Sequence, residues 1–204
     1  MKKKTFFITG IGTDVGKTIV SAIICQALGA DYFKPIQAGD VDCGDRQTVA
    51  ALINNQNSTI HPCSYNLTSA MSPHAAAKID GIDIQLDKIH IPKTSNHLLI
   101  EGAGGLLVPL NDKHTILDLI RAEYHVILVS RHYLGSINHT LMSLKILQER
   151  GHKVSVVFNG SENKATESII ARMSNAAIIG RINQVEKVNQ DFIQHYAKKF
   201  MEKL

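Results

Sequence analysis

Lys17 and Thr18 close the run Gly10-Ile11-Gly12-Thr13-Asp14-Val15-Gly16-Lys17-Thr18, and these residue types at this spacing suit the handling of phosphate. Glycines let successive backbone N–H groups curl around an anion, and a helix that begins there adds the positive end of its dipole. Lys17 can reach the terminal phosphates of a nucleotide, and the Thr18 hydroxyl can ligate Mg²⁺. Five residues stand between Gly10 and Gly16, one more than the usual G-x-x-x-x-G-K-[ST] loop allows. The flanks still favour that loop. Thr5 to Thr9 is an apolar strand-like run, and Ile19 to Leu28 reads as a helix ended by Gly29. The alternative is a tight strand-to-helix turn carrying a surface lysine.

Mg²⁺ takes oxygen ligands, so carboxylates near this loop matter. Glu101 closes the apolar run Leu98-Leu99-Ile100 and precedes Gly102-Ala103-Gly104-Gly105. A carboxylate there has little structural use. Asp45 is a second candidate, with Asp40 and Asp42 competing; those two read better as turn formers or caps. Lys34, before Pro35, is a second cation facing the interior. Two lysines near one triphosphate suggest stabilisation of charge on a second substrate. Gly135-Ser136-Ile137-Asn138 opens a helix whose free N–H groups could hold a carboxylate. The ten histidines show no H-E-x-x-H and no zinc-type pairing with cysteine, and no G-x-S-x-G is present.

These residues need elements to position them. Asp31 to Lys34 reads as a short strand, 36–45 as a Gly- and Asp-rich loop, and Arg46 to Ile53 as a helix. Residues 54–66 read as irregular. Ser72-Pro73 caps a short helix to Lys78, and 79–96 is undetermined apart from a possible short helix near Ile84 to Ile89. A hairpin is expected over 106–115 and a helix over 116–122. Val126 to Val129 is a strand, followed by a helix to about Arg150. Val154 to Phe158 is a strand ending at Asn159. A helix over 162–173, a strand at Ala177 to Ile179 and a helix over 185–201 complete the chain. Alternating strands and helices, with several strands apolar throughout, predict a three-layer α/β fold: a mostly parallel sheet with helices on both faces. Ligands in such sheets bind at the carboxyl ends of the strands.

The 204 residues suit one domain, and 44% hydrophobic with 20% charged content indicates a globular chain. The net charge of +4 is mild, and its lysine clusters, Lys2-Lys3-Lys4 and Lys198-Lys199, lie at the ends. With 5% aromatics and no Trp, neither a basic stripe nor a stacking platform for nucleic acid is evident. Cys25, Cys43 and Cys63 are odd in number and widely spaced, which suits a reducing compartment, with Cys25 in the core. The apolar run after Lys4 is about five residues, short of the roughly 7–15 of a secretion signal. No run reaches membrane-spanning length. A cytoplasmic protein is expected.

Together the motifs resemble the dethiobiotin synthetase family over most of the chain. That family's phosphate loop is also long, in the form G-T-x-T-x-V-G-K-T. Lys34-Pro35-Ile36 with Gln37 and Gly39 is similar to its K-P-[VI] motif. Ser72-Pro73-His74, Glu101-Gly102-Ala103-Gly104-Gly105 and Leu134-Gly135-Ser136-Ile137-Asn138-His139 follow in the family's order. The resemblance implies a P-loop NTPase-like fold and an ATP- and Mg²⁺-dependent ligase of biotin synthesis. Such enzymes close the ureido ring of dethiobiotin from 7,8-diaminononanoate and CO₂. An amine takes up CO₂ as a carbamate, the carbamate attacks the γ-phosphate, and the second amine displaces phosphate from the mixed anhydride.

Carried over by motif, the phosphate loop from Gly12 through Thr13, Asp14, Val15, Gly16, Lys17 and Thr18 to Ile19 would bind ATP, and Asn159 would read the adenine. Lys34, Lys17 and Thr13 would be catalytic. Thr18, Asp45 and Glu101 would hold Mg²⁺. Lys34, Ala38, Gly104 and Gly105 would line the diamine site. Gly135, Ser136, Ile137 and Asn138 would hold the substrate carboxylate across a homodimer interface. Ala38 stands where the family usually has a hydroxyl residue, and Gly180-Arg181-Ile182-Asn183 lacks a proline often found there. The runner-up is a partitioning-type P-loop ATPase switch, which usually carries a second lysine inside the loop; positions 11–15 hold none. A small-molecule kinase would want an arginine-rich lid, and a nonenzymatic nucleotide sensor would show no diamine-dependent turnover.

Overall fold

Period-two alternation along the strands builds this molecule. In the computed structural model, which describes residues 3–40 and 42–204, Phe7, Leu98, Ile100, Val126, Leu128, Val154, Val156 and Phe158 pack on one face of a sheet. Phe6, Ile8, Leu99, Ile127, Val129 and Val157 pack on the other. Both faces are therefore apolar, as a doubly covered parallel sheet requires. Each such side chain, fully buried, contributes about 1.5–3 kcal/mol. Part of the amino-terminal lysine cluster (Lys2) and one position of the Gly/Asp loop (Val41) lie outside the described residues.

The strands are β1 (Thr5–Gly10), β2 (Asp31–Phe33), β3 (Ile36–Ala38), β4 (Tyr65–Leu67), β5 (Leu98–Gly105), β6 (His125–Arg131), β7 (Lys153–Asn159) and β8 (Ala177–Ile182). Six of them form one sheet in the order β2-β5-β1-β6-β7-β8, every pair parallel. One face is covered by α1 (Lys17–Leu28), α2 (Asp45–Leu52) and α6 (Gln190–Phe200), through residues such as Ile23, Val49 and Ile193. The other is covered by α3 (Pro73–Asp80), α4 (Ser136–Glu149) and α5 (Lys164–Ser174), through Ala77, Leu144 and Ile170. This is the three-layer architecture expected from the sequence. β1 lies between β5 and β6, so the chain departs to one side of it and later returns on the other. The loop after β1 opens at this reversal of strand order, the usual ligand position in such sheets.

Several local expectations change. Residues 36–38, expected in a loop, and 65–67, overlapping the stretch 54–66 expected to be irregular, pair in parallel as a small second sheet, β3-β4. Neither strand is long enough to show a period in sequence. The expected helix over 116–122 is a single 3₁₀ turn at Ile116–Leu119, closed by a capping box between Thr115 and Asp118. The last helix begins at Gln190, where Asn189 caps it, not at 185. The expected hairpin is present: Pro109 bridges Thr115 in antiparallel fashion, and Leu110 N–H donates to His114 O. Cys25 is buried in α1, and burial pushes its thiol pKa up.

The β2 edge is shielded by the segment around Ile60. Tyr32 N–H donates to Thr59 O and His61 N–H donates to Tyr32 O. Asp31 fixes that segment: its carboxylate accepts from Thr59 N–H at 2.9 Å and Asn96 Nδ2 at 2.8 Å, and meets His61 Nε2 at 3.1 Å. Burial alone would raise the Asp31 pKa, but bonds from Thr94, Asn96, Thr59 and His61 outweigh it and hold the carboxyl below its usual 3.8. A depressed folded pKa means stability that is present above 3.8 and lost as pH falls through the lowered value. We therefore expect Asp31→Asn to cost about 1–3 kcal/mol near neutral pH. In urea titrations that gap should narrow progressively below pH 3.8; a gap of constant size would remove Asp31 from the acid response.

Candidate active site

The loop after β1 is held from below by its neighbours in the sheet. Asn159, at the end of β7, donates from Nδ2 to Val15 O at 2.8 Å. Arg131, at the end of β6, donates to Asp14 O at 3.0 Å. Asp14 and Gly16 both take the left-handed backbone, with φ of 56° and 96°. Gly16 N-caps α1, and a Cβ there would lie 2.3 Å from Asn159 Nδ2. Among the described residues, the N–H groups of Gly12, Thr13, Asp14 and Val15 donate to nothing. An anion cradle needs donors left free in this way. Lys17 folds over the loop, donating to Gly12 O at 3.1 Å. Its ammonium pKa is lowered, chiefly by burial; Glu101 opposes this and Lys34 adds to it.

Beside the loop stands an ionic cluster. Lys34 Nζ lies 2.6 Å from Asp45 Oδ2 and 3.1 Å from Glu101 Oε1, and donates also to Gly102 O at 3.1 Å. Thr18 Oγ1 donates to Asp45 Oδ1 at 2.5 Å and approaches Glu101 Oε1 at 3.3 Å. Lys34 and Glu101 are buried, at 3% and 1% exposure. Burial would lower the Lys34 pKa and raise that of Asp45. Glu101 and Asp45 hold the ammonium above its usual range, and Lys34, with Thr18 and Lys17, holds the Asp45 carboxyl below its own.

Local structure explains each placement. Asp45 is the first residue of α2, where the helix dipole favours a negative charge, and its N–H donates to Gln37 Oε1 at 3.3 Å. Glu101 pairs with Ile8 in β1 while Gly105 pairs with Gly10, so β5 spends extra residues against β1. This bulge at Gly102 to Gly104 sits at the phosphate end of the sheet, where bulges commonly re-aim groups. Behind Glu101, Oε2 accepts from Ser21 Oγ at 2.6 Å and Tyr32 Oη at 3.0 Å.

A cavity of about 740 Å³ opens over these groups, its walls including Thr13, Asp14, Gly16, Lys17, Thr18, Ile19, Lys34, Ala38, Asp45, Glu101 and Gly104. Most of the sequence-predicted site residues thus converge. Asp45, not Asp40 or Asp42, is the aspartate bonded to Thr18 and Lys34. Gly105 is not on that wall; it packs against the loop, where a Cβ would lie 3.3 Å from Gly10 O. Gly135, Ser136, Ile137 and Asn138 line a separate cavity of about 680 Å³ with Tyr133 and Asn163. Sequence reasoning missed Ser21, Tyr32, Arg131 and the role of Gln37. Ser21 had a signal, since it lies one helical turn after Thr18. Tyr32 had none without the β2-β5 pairing.

The curated relatives point to one family. ATP-dependent dethiobiotin synthetase BioD of Christiangramia forsetii is 50% identical over 202 residues, covering 98% of both chains. The chain belongs to the dethiobiotin synthetase family. The enzyme of the same name from Cytophaga hutchinsonii is 46% identical over 202 residues, again 98% of both chains. A family model described as AAA domain matches residues 4–191. Among solved structures, a plasmid partition protein from Borrelia burgdorferi bound to AMPPNP superposes with a TM-score of 0.61 at 14% identity over 100% of both chains. A ParA family ATPase from Chlorobium tepidum gives 0.58 at 14% identity, over 98% of this chain and 95% of the other. These two likenesses show the P-loop NTPase fold alone. They share it with the partitioning-type alternative, while sequence separates this family from it.

Gly16→Ala tests the built loop. The new Cβ meets Asn159 and the left-handed φ disfavours any Cβ. Binding of a nonhydrolysable ATP analogue, measured by calorimetry, should weaken about tenfold or more for roughly 1.4 kcal/mol of misfit; unchanged affinity would mean the loop relaxes freely.

Proposed function

We infer that this chain is an ATP-dependent dethiobiotin synthetase, a ligase of biotin biosynthesis that forms the ureido ring of dethiobiotin from 7,8-diaminononanoate and CO₂. The observation that carries the reading is the setting of Lys17 and Lys34 across Asp45 and Glu101 on one cavity wall beside the phosphate loop. We read the chain as one ATP-binding α/β domain working in the cytoplasm; among the described residues no helix is long and apolar enough to cross a membrane.

The geometry supports the following roles. The free N–H groups of residues 12–15 and the start of α1 receive the triphosphate, and Lys17 neutralises its far end. Thr13, over Gly104 on the cavity wall, faces the space between phosphate and second substrate. Ala38 and Gly104 leave room there for the diamine, and Gly105 keeps β5 close to the loop. Asn159, whose amide nitrogen holds Val15, would offer its amide oxygen to the base. Lys34 is placed to draw negative charge from the carbamate as its oxygen attacks the γ-phosphate. All three ammonium protons now meet acceptors, so Lys34 must give up at least one of them to do so. No side chain need act as nucleophile; positioning and charge stabilisation supply the rate.

Mg²⁺ fits the donor set. Thr18 Oγ1 and one oxygen from each of Asp45 and Glu101 face one another as hard ligands, with phosphate oxygens and water to complete the shell. Bound there, the ion supplies charge neutralisation at the phosphates. We also propose a homodimer in which Gly135, Ser136, Ile137 and Asn138 of one protomer hold the carboxylate of substrate bound to its partner. In support, Leu134 is fully exposed, and Tyr133 and Ile137, which line the second cavity with it, are also exposed.

Phosphate release with ATP and Mg²⁺ should require both 7,8-diaminononanoate and bicarbonate, with dethiobiotin formed in step. Release indifferent to the diamine would instead favour a partitioning-type switch. Lys34→Ala and Lys17→Ala should each lower kcat by roughly 10²–10³-fold, the scale of losing one charge-stabilising donor.

A further inference from the structure

The two oxygens of Glu101 live in different chemistry. Oε1 meets the Lys34 ammonium and the Thr18 hydroxyl, at 3.1 and 3.3 Å. Oε2 meets only neutral hydroxyls, Ser21 Oγ at 2.6 Å and Tyr32 Oη at 3.0 Å. A carboxylate has about four lone-pair positions; the two hydroxyls fill Oε2, while Oε1 has the Lys34 ammonium and only the long approach of Thr18, whose one proton goes to Asp45.

The two hydroxyls come from different elements, Tyr32 from β2 and Ser21 from α1. Tyr32 is opposite Leu99 in the register of β2 on β5. Leu99 and Glu101 are two apart, so they share a face, and the Tyr32 ring runs up that face to the carboxylate. Its position is fixed at the backbone on both sides, by β5 and by the segment at Thr59 to His61. Ser21 lies one turn after Thr18 on α1 and is fully buried. Among the described residues, neither hydroxyl donates to anything but Glu101. Tyr32 belongs to the same buried apolar cluster as Phe6, Ile8 and Leu99, a setting phenylalanine would fill with no polar group to satisfy. The hydroxyl is therefore of use to Glu101 alone.

We propose that Tyr32 and Ser21 are positioning residues that engage Oε2 of Glu101, lock the carboxylate in one orientation, and leave Oε1 as the single oxygen presented to the metal–nucleotide. This rests on the reading of Glu101 as a Mg²⁺ ligand. A carboxylate free to turn would offer either oxygen, or both, and would also lose its fixed distance to Lys34. Removing one outer partner of a metal ligand typically lowers metal affinity by about 10–100-fold.

The test is binding of Mn²⁺ to the full-length protein saturated with AMPPNP, followed by electron paramagnetic resonance. Wild type is compared with Tyr32→Phe, Ser21→Ala, the double variant and Glu101→Gln. AMPPNP affinity without metal and the thermal midpoint are recorded for each. We expect Mn²⁺ affinity to fall roughly tenfold in each single variant and further in the double, with metal-free AMPPNP affinity unchanged. If Glu101→Gln weakens Mn²⁺ binding while Tyr32→Phe and Ser21→Ala leave it as in wild type, the positioning role falls and the metal reading stands. If Glu101→Gln leaves Mn²⁺ binding intact, both fall. A lower thermal midpoint with unchanged Mn²⁺ affinity, or a parallel loss of metal-free AMPPNP affinity, assigns the hydroxyls to general structure and overturns the proposal. Should one single variant fail to fold, the other decides. None of these measurements uses the diamine, so they stand apart from the test of the ligase reaction.

Discussion

The ammonium of Lys34, buried between the carboxylates of Asp45 and Glu101, is the interaction on which the rest of this structure depends. Removing each charge from water costs several kcal/mol, and their attraction offsets that only with good geometry and every remaining donor and acceptor matched. The surroundings supply those matches one by one. A bulge in β5 turns the Gly102 carbonyl toward the third ammonium proton. The start of α2 puts Asp45 where a helix dipole favours it. Thr18 donates to Asp45, and Ser21 and Tyr32 donate to Glu101. Such a cluster is weak evidence for stability, because apolar residues of the same volume could pack as well. Its value is that two cations and two anions are kept at fixed positions beside a phosphate loop.

That arrangement requires the strand order as observed. Lys34 follows β2, Glu101 lies in β5, and Lys17 and Thr18 follow β1. With β5 seated between β2 and β1, Glu101 is flanked by both cations. A sheet in simple chain order would put β2 between β1 and β5 and so hold Glu101 one strand away from Lys17 and Thr18. The crossover of β5 into the middle thus gathers residues more than sixty positions apart. The shielding of the β2 edge by Thr59 to His61 serves the same end, since it holds Tyr32 in register against Leu99.

What could be read from the sequence alone follows a physical rule. Groups whose chemistry is carried by a contiguous motif were legible: the phosphate loop with Lys17 and Thr18, and Glu101 before its glycines. So were long apolar strands and helices, whose periods extend over several turns or pleats. Asp45 reads as the candidate ahead of Asp40 and Asp42, which suit turns or caps, but nothing in the sequence ties it to a partner. Its selection comes from Thr18 and Lys34 in space. β3 and β4 are three residues each, too short to display alternation, and they exist because each pairs with the other. Tyr32 was invisible as a functional residue for the same reason: its use depends on a neighbour sixty-nine positions away. Local propensity is read from sequence; pairing is not.

The long phosphate loop raises a last question, since an added residue should loosen an anion cradle. Two residues of the loop, Asp14 and Gly16, occupy the left-handed region. For Asp14 this conformation is uncommon and is sustained only where the surroundings over-determine it. The constraint comes from the sheet itself. Arg131 and Asn159, at the ends of adjacent strands β6 and β7, take the carbonyls of Asp14 and Val15, and they pair with each other in register. They therefore act as one rigid edge against which the longer loop is pinned. With those carbonyls held, the N–H groups of residues 12–15 keep no partner among the described residues, and an arriving phosphate need not break bonds to use them. The extra residue is thus compatible with a preformed cradle, because neighbouring strands supply the order that the shorter loop obtains from its own geometry.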